Sequence, residues 1–168
     1  MISRNPASPI KIRKLGHVVY EVSDVARSTA FWTEIMGFHV SDRNENGMVF
    51  LHCAGDHHTI ALVPSPGKRK PTRPEDGVLQ IHHWAMEVES MERLFEARAF
   101  LQARGIALTY EGRRGPGSNP GIEFKDPDGF TVEIYCDMDK LDEPGKSRPP
   151  EQWKRARSLE EARDNPLE

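Results

Sequence analysis

Two stretches of the chain, GHVVYEV at residues 16–22 and HHWAMEV at residues 82–88, share one pattern and decide the fold. Both are typical of β-strands, because apolar side chains recur at every second position. Each is followed by a stretch with helical spacing, 25–36 after the first and 91–104 after the second. An internal repeat of this kind predicts that one supersecondary unit occurs twice.

After its helix, each half continues with three more predicted strands. They cover 38–43, 48–53 and 58–63 in the first half, and 106–111, 121–125 and 130–136 in the second. The last strands align without gaps, HTIALV at 58–63 over FTVEIY at 130–135. This order predicts an α+β fold in which two βαβββ repeats form a curved, cup-shaped mixed sheet with the helices outside.

These repeats define the expected domain organisation. Repeat one covers 15–63 and repeat two covers 81–136, so a single domain is expected over 15–136, with the Pro- and Lys-rich stretch 64–79 as a linker. Residues 1–14 are expected to form a loose arm, and residues 137–168 a charged tail. Within the tail, 150–163 is suited to a short amphipathic helix that presents Trp153 and Leu159, either to a partner subunit in a homodimer or to its own core.

Composition excludes several classes of protein. The 168 residues carry 23 basic and 26 acidic side chains, a net charge of −3, with no sustained block of either sign. Nothing in this balance points to nucleic acid. No apolar run approaches the ~20 residues of a membrane span, and two cysteines are too few for a disulfide framework. We therefore expect a cytoplasmic protein with no membrane partner.

Strand alternation predicts a metal site. If Tyr20 and Trp84 point to the core, then His17, His83 and Glu133 lie on the opposite face of their strands. Two imidazoles and one carboxylate are the ligands of a facial triad, which leaves open positions on Fe(II) or a similar divalent ion. The repeat-related partner of Glu133 is Ala61, which disfavours a closed four-ligand site. The alternative is that each histidine is a hydrogen-bonded surface or core residue.

The same alternation predicts what surrounds the metal. Val19, Ala85 and Tyr135 share the face of the predicted ligands. We expect these three side chains to line the open face beside the metal.

The chain also resembles a known family, the vicinal oxygen chelate superfamily, and most closely the catalytic module of type I extradiol ring-cleaving dioxygenases. The resemblance rests on four segments in order: LGHVVYEVSDVARSTAFWTEIMGF (15–38), FLHCAGDHHTIAL (50–62), IHHWAMEV (81–88) and DPDGFTVEIY (126–135). It implies Fe(II)-dependent cleavage of a catecholic diol with O2, in the catabolism of aromatic compounds. Val19, Ala85 and Tyr135 are then expected to bind the substrate by receiving its aromatic ring. It places the metal ligands at His17, His83 and Glu133, with Mn, Co, Ni or Zn as alternatives to iron.

The resemblance further implies that His58 assists oxygen binding and proton transfer beside the metal. Simple alternation along 58–63 instead puts His57 on the face of Ala61, and a bend at the start of the strand would reconcile the two. Three other histidines, His39, His52 and His82, are interpreted as structural.

The chain departs from the family pattern at two places. No histidine follows His83, and Glu123 stands where such dioxygenases carry a tyrosine. Glu123 is then either a general base or an edge-strand carboxylate. In the loop before 121–125, Arg113 or Arg114 is suited to bind a carboxylate-bearing substrate, the alternative being solvated loop charges.

Two other functions stay open at this point. A lyase, isomerase or epimerase of the glyoxalase type would keep the divalent metal and use Glu123 as proton carrier. A non-catalytic small-molecule-binding module would need no metal, and the set of His17, His83 and Glu133 argues against it.

Overall fold

The computed structural model describes residues 13–65, 81–141 and 147–167. The predicted arm up to residue 12 and the linker from 66 to 80 lie outside these residues. The chain divides into two compact units. The N-terminal unit comprises Ile12–His82 with Asp126–Phe130, and the C-terminal unit comprises His83–Lys125 and Thr131–Glu168. In the described ranges, no helix is both long enough and apolar enough to cross a membrane.

The N-terminal unit contains one helix and one four-stranded sheet. Its elements are β1 (Val18–Val22), α1 (Val25–Ala30) continued by a π-helical turn (Phe31–Ile35), β2 (His39–Arg43), β3 (Val49–His52) and β4 (Ile60–Pro64). The strand order is β1-β4-β3-β2, with β1 parallel to β4 and the other neighbours antiparallel.

The C-terminal unit repeats this arrangement. Its elements are β5 (His83–Glu87), α2 (Met91–Ala103), β6 (Leu108–Arg113), β7 (Pro120–Lys125) and β8 (Thr131–Tyr135), in the strand order β5-β8-β7-β6. The register also repeats, since Val19 pairs with Ala61 as Ala85 pairs with Glu133. The predicted α+β fold of two βαβββ repeats is confirmed, and the eight strands form two mixed sheets of four.

The helices begin and end where the sequence signals predict. Asp24 and Ser90 are the N-caps of α1 and α2, and each side chain accepts a hydrogen bond from the backbone N–H three residues later. Gly37 and Gly105 follow the helical segments with φ of +73° and +70°, a conformation that glycine adopts without steric cost. The helices end at these glycines, and the chain then continues into β2 and β6.

Each unit buries its own apolar side chains between sheet and helix. The largest fully buried residues are Trp32, Leu51, Ile60 and Leu62 in the N-terminal unit, and Leu94, Leu101, Ile122 and Phe124 in the C-terminal unit. One buried polar group, the Trp32 indole N–H, donates to the Tyr20 hydroxyl at 2.7 Å. The apolar faces of the strands are thus fixed against the helices, which leaves the opposite faces for polar side chains.

Three strands begin two residues later than the sequence pattern indicates: β1 at Val18, β4 at Ile60 and β6 at Leu108. His17 and His58 therefore stand just before their strands, in backbone that strict alternation does not govern.

The segment after β8 forms a 3₁₀ turn (Pro150–Gln152) and a short helix, α3 (Leu159–Asp164), rather than one helix over 150–163. Between them the backbone is extended, because Ala156 exchanges two hydrogen bonds with Arg113 at 2.9 and 3.0 Å. The Trp153 ring lies against Gly115, where a Cβ atom would overlap it, and Leu159 is fully buried. Both side chains pack within the C-terminal unit.

Candidate metal centre

The register of the C-terminal sheet brings two carboxylates and a histidine to one face. Ala85 on β5 lies opposite Glu133 on β8, which in turn lies opposite Glu123 on β7. Paired residues project from the same face of a sheet, and so do residues two apart on one strand. His83 precedes Ala85 by two residues, so it shares this face with both carboxylates.

The three side chains lie within reach of a common ion. His83 Nε2 is 3.1 Å from Glu133 Oε2. One donor atom from each of His83, Glu123 and Glu133 lies within 4.8 Å of the others. An imidazole nitrogen with carboxylate oxygens is a donor set that divalent first-row metals accept, so this cluster fits a metal such as Fe(II) or Mn(II). Two of the three predicted ligands, His83 and Glu133, are brought together.

Glu133 is held in a tight, polar setting. It is 7% exposed, and the Asn119 side-chain amide donates to its Oε1 at 3.1 Å. Burial raises the pKa of Glu133 and the charge of Glu123 adds to this, while His83, Arg114 and Asn119 act in the opposite direction. The carboxylate fits because residue 121 is glycine, where a Cβ atom would stand 2.9 Å from Oε1.

Glu123 belongs to this cluster and not to a sheet edge. Its strand, β7, lies between β8 and β6, so the edge-strand alternative is wrong. The side chain is 6% exposed and forms an ion pair with Arg114. The Arg114 guanidinium lies 3.7 Å from the centroid of the Tyr110 ring, and Tyr110 pairs with Glu123 across β6 and β7. Arg114 is thus not a freely solvated loop charge.

Arg113 has a structural role instead. It is 4% exposed, and its guanidinium donates to the backbone carbonyls of Lys154 and Asn165. These bonds tie the segment after β8 to the end of β6. Arg113 is the last residue of β6, and of the two arginines only Arg114 contacts the carboxylates.

The predicted substrate-lining residues of this unit lie beside the cluster. Ala85 is exposed and directly opposite Glu133, and Tyr135 follows Glu133 by two residues on β8. Tyr135 is half-buried, and burial raises the pKa of its hydroxyl. Both side chains therefore border the carboxylates on their open face.

The other predicted residues belong to the N-terminal unit. His17 is exposed and immediately precedes β1. Val19 lies on the open face of β1 and is 47% exposed. The His17 and His58 ring centroids are 4.5 Å apart, and His58 lies 5.2 Å from the ring of Phe50. Phe50 pairs with Ala61, so His58 reaches the face that alternation assigned to His57.

The bend expected at this point exists because β4 begins only at Ile60. His57 is exposed, with its Nδ1 3.1 Å from that of His58 and its Nε2 3.9 Å from Asp42. Desolvation lowers the pKa of His58, and the nearby His17 and His57 lower it further. His58 is therefore suited to act as a neutral proton acceptor.

His39 and His52 form a separate pair on neighbouring strands. They are register partners on β2 and β3, with ring centroids 5.7 Å apart. His52 Nδ1 is 3.0 Å from the carbonyl oxygen of Ala54. These contacts agree with a structural interpretation.

Sequence reasoning missed two residues of the centre, Asn119 and Tyr110. The position of Glu123 could have been found from the sequence. Glu123 and Glu133 are equally far from the centre of the turn at Asp126–Phe130, so an antiparallel hairpin places them opposite each other. No such count reaches Asn119, because it precedes β7 in a loop without periodicity.

Comparisons with known proteins agree with this architecture. The family model described as "Glyoxalase/Bleomycin resistance protein/Dioxygenase superfamily" matches residues 14–134. The chain is 33% identical over 124 residues to the 2,2',3-trihydroxybiphenyl dioxygenase of Sphingomonas paucimobilis, a match that covers 71% of this chain and 40% of that protein. It is 28% identical over 133 residues to the manganese-dependent 2,3-dihydroxybiphenyl 1,2-dioxygenase of Geobacillus genomosp. 3, covering 77% and 38%. The chain thus spans about two fifths of the length of these relatives.

A solved structure has the same fold. The glyoxalase/dioxygenase from Nostoc punctiforme superposes with a TM-score of 0.63 at 23% identity, over 82% of this chain and 99% of that one. The matched family region covers the first repeat and the second as far as residue 134, and it includes the cluster of His83, Glu123 and Glu133. By its two repeats and by this match, the chain belongs to the glyoxalase/bleomycin resistance/dioxygenase superfamily.

Proposed function

We propose that the chain is an extradiol-type dioxygenase that cleaves the ring of an aromatic vicinal diol with O2. The observation that carries the proposal is the pair of His83 and Glu133, 3.1 Å apart beside an exposed sheet face. Relatives of about 30% identity that bear the names of such dioxygenases support it. Fe(II) is the proposed metal, and Mn(II) is the first alternative because one relative is named as manganese-dependent. Co, Ni and Zn are further alternatives.

The chain's own residues would hold the ion. His83 and Glu133 supply two ligands, and Asn119 orients the Glu133 carboxylate by its hydrogen bond. His17 stays the predicted third ligand, because it occupies the position in the first repeat that His83 occupies in the second: His17 immediately precedes β1, and His83 is the first residue of β5. Fe(II) bound by such a set supplies open coordination positions for a diol and the redox chemistry that cleavage with O2 requires.

The open face beside these ligands would receive the substrate ring. Ala85 has no bulk beyond Cβ, so an aromatic ring can approach Glu133 closely there. Tyr135 borders the same area and offers an aromatic face. Val19 is proposed for the same task in the N-terminal unit, where it pairs with Ala61.

Proton handling is assigned to two side chains. His58, whose pKa is lowered, is neutral near pH 7 and serves as the general acid–base. Glu123 accepts a proton from a diol hydroxyl, and Arg114 compensates its charge. The two groups belong to different units, so each can be tested by a separate substitution.

One observation favours a second candidate function. Glu123 replaces the tyrosine that the family resemblance predicts, and it lies among the metal donors. A carboxylate beside a metal suits a lyase, isomerase or epimerase, in which a proton moves on an enolate and no oxygen is consumed. Such an enzyme would be active with Co, Ni, Zn or Mg.

Anaerobic reconstitution with Fe(II), followed by oxygen consumption with a panel of catechols that includes 2,3-dihydroxybiphenyl, tests the proposal. We expect stoichiometric oxygen uptake with at least one diol, lost in His83→Ala and retained in His39→Ala. Turnover without oxygen under another metal would favour the lyase or isomerase. Tight diol binding without turnover under any metal would indicate a binding module.

A further inference from the structure

A cavity of about 930 Å³ lies next to the metal centre in the C-terminal unit, between the end of β6 and the segment that follows β8. Four of the residues that line it are arginines and one is a glutamate. The lining residues that matter here are Tyr110, Arg113, Arg114, Arg155, Arg157 and Glu161. Its volume is in the range of cavities that hold small organic molecules.

The positive charge of this wall is only partly balanced. Arg114 is paired with Glu123. The guanidinium of the buried Arg113 donates to two backbone carbonyls, and Glu161 is the carboxylate that interacts with its charge. The Glu161 carboxylate accepts the backbone N–H of Arg157. In the described parts of the chain, no carboxylate lies within ion-pair distance of the Arg155 or Arg157 guanidinium. The cavity therefore has an excess of guanidinium charge.

The cavity adjoins the metal centre through one ion pair. Arg114 and Tyr110 line the cavity, and the Arg114 guanidinium donates to Glu123. Glu123 in turn has a donor atom within 4.8 Å of those of His83 and Glu133. The Arg114 guanidinium is thus shared between the wall of the cavity and the carboxylate cluster.

We propose that this cavity binds the carboxylate side chain of an acidic aromatic substrate. That the ligand carries an aromatic ring rests on the proposed function, whereas that it carries an anionic group rests on the arginines of the cavity. Guanidinium groups bind carboxylates through two parallel charge-assisted hydrogen bonds. Residues 155 and 157 follow the region matched by the family model, so this specificity belongs to the chain's own C-terminal segment.

Binding is tested first without chemistry. Calorimetry on the metal-free protein compares phenylacetate with benzyl alcohol and with inorganic phosphate. We expect phenylacetate to bind at least about tenfold more tightly than the alcohol, and to lose about tenfold or more in the double variant Arg155→Gln/Arg157→Gln. Arg104→Gln is the matched control, since Arg104 is an exposed arginine that stacks on Phe100 at 3.5 Å. Equal unfolding temperatures of the variants show that the fold is intact.

Selectivity is tested next with the Fe(II)-loaded protein. The ratio of kcat/KM for dihydroxyphenyl carboxylic acids to kcat/KM for catechol should exceed one, fall about tenfold in the double variant and stay unchanged in Arg104→Gln. Loss of phenylacetate binding in the double variant, with no catechol cleaved at all, would refute the proposed reaction and support the cavity assignment. The cavity assignment would be overturned if phenylacetate bound no more tightly than phosphate or benzyl alcohol. It would also be overturned if the double variant bound phenylacetate as wild type does.

Discussion

Glu133 on β8 lies directly opposite Glu123 on β7, and both carboxylates are buried, at 7% and 6% exposure. Adjacent buried carboxylates repel each other and are costly to desolvate, so a fold keeps them only with compensation. Here His83, Asn119 and Arg114 compensate part of the negative charge of the two carboxylates. A bound divalent cation would compensate the remainder, so substitutions at the pair should change both stability and metal binding.

Removing the charge of Glu133 should stabilise the metal-free protein and abolish metal binding. The folded-state pKa of Glu133 is raised, mainly by burial and next by Glu123, so the folded state binds a proton more readily than the unfolded chain. Its unfavourable contribution to stability is absent at low pH, grows as pH rises through the unfolded-state pKa and is complete above the folded-state pKa. Near pH 7, Glu133→Gln should therefore unfold at a higher temperature, by about 2–4 °C for each kcal/mol recovered.

Thermal unfolding with and without added Mn(II) measures both effects. The exposed Glu96→Gln is the control, and it should change neither the stability of the metal-free protein nor the stabilisation by metal. A Glu133→Gln protein that is less stable than wild type, or still stabilised by Mn(II), would contradict the assignment of this carboxylate.

A methyl group at residue 121 should weaken metal binding. The added Cβ of Gly121→Ala would stand 2.9 Å from Glu133 Oε1, so the carboxylate must move from its position beside His83. Changes to groups that orient metal ligands lower affinity by about 10- to 100-fold. Titration with Mn(II), followed by electron paramagnetic resonance of the free ion, checks this. Gly55→Ala, where no atom lies within 4 Å of the new Cβ, should bind as wild type does.

His17→Ala tests whether the N-terminal unit contributes a ligand. If the predicted triad is right, its affinity for Mn(II) falls by about as much as in His83→Ala, because each imidazole supplies one coordinate bond. The double variant His17→Ala/His83→Ala should then bind Mn(II) only slightly more weakly than either single variant, since each single substitution already removes a ligand of the same site. Wild-type affinity in His17→Ala would restrict the site to the cluster of His83, Glu123 and Glu133.

His58→Ala should lower kcat by about 10²- to 10⁴-fold and leave metal affinity unchanged, because general acid–base groups contribute to the chemical step. The acidic limb of the kcat–pH profile in wild type should lie below the ordinary histidine pKa, in line with the lowered pKa of His58, and disappear in the variant. His57→Ala is the neighbouring control. An equal loss in both variants would mean that the pair, and not His58, handles the proton.

The repeat could be predicted from the sequence because strand and helix periodicity are local properties. The gapless alignment of 58–63 with 130–135 is matched by equal registers, Val19 with Ala61 and Ala85 with Glu133. Alternation along one strand then sufficed to place Glu133 on the open face and its apolar neighbours on the other. It failed for His58, because alternation holds only inside a strand and β4 starts at Ile60.

The sequence by itself determined two βαβββ repeats, their helix caps and the shared face of His83 and Glu133, since each follows from residues close together in the chain. Only the tertiary structure decided that Arg114 pairs with Glu123, that Asn119 holds Glu133, and that Arg155 and Arg157 line a cavity with Tyr110. These contacts join irregular segments to strands far away in sequence, and no periodic pattern encodes which irregular residue will meet which strand.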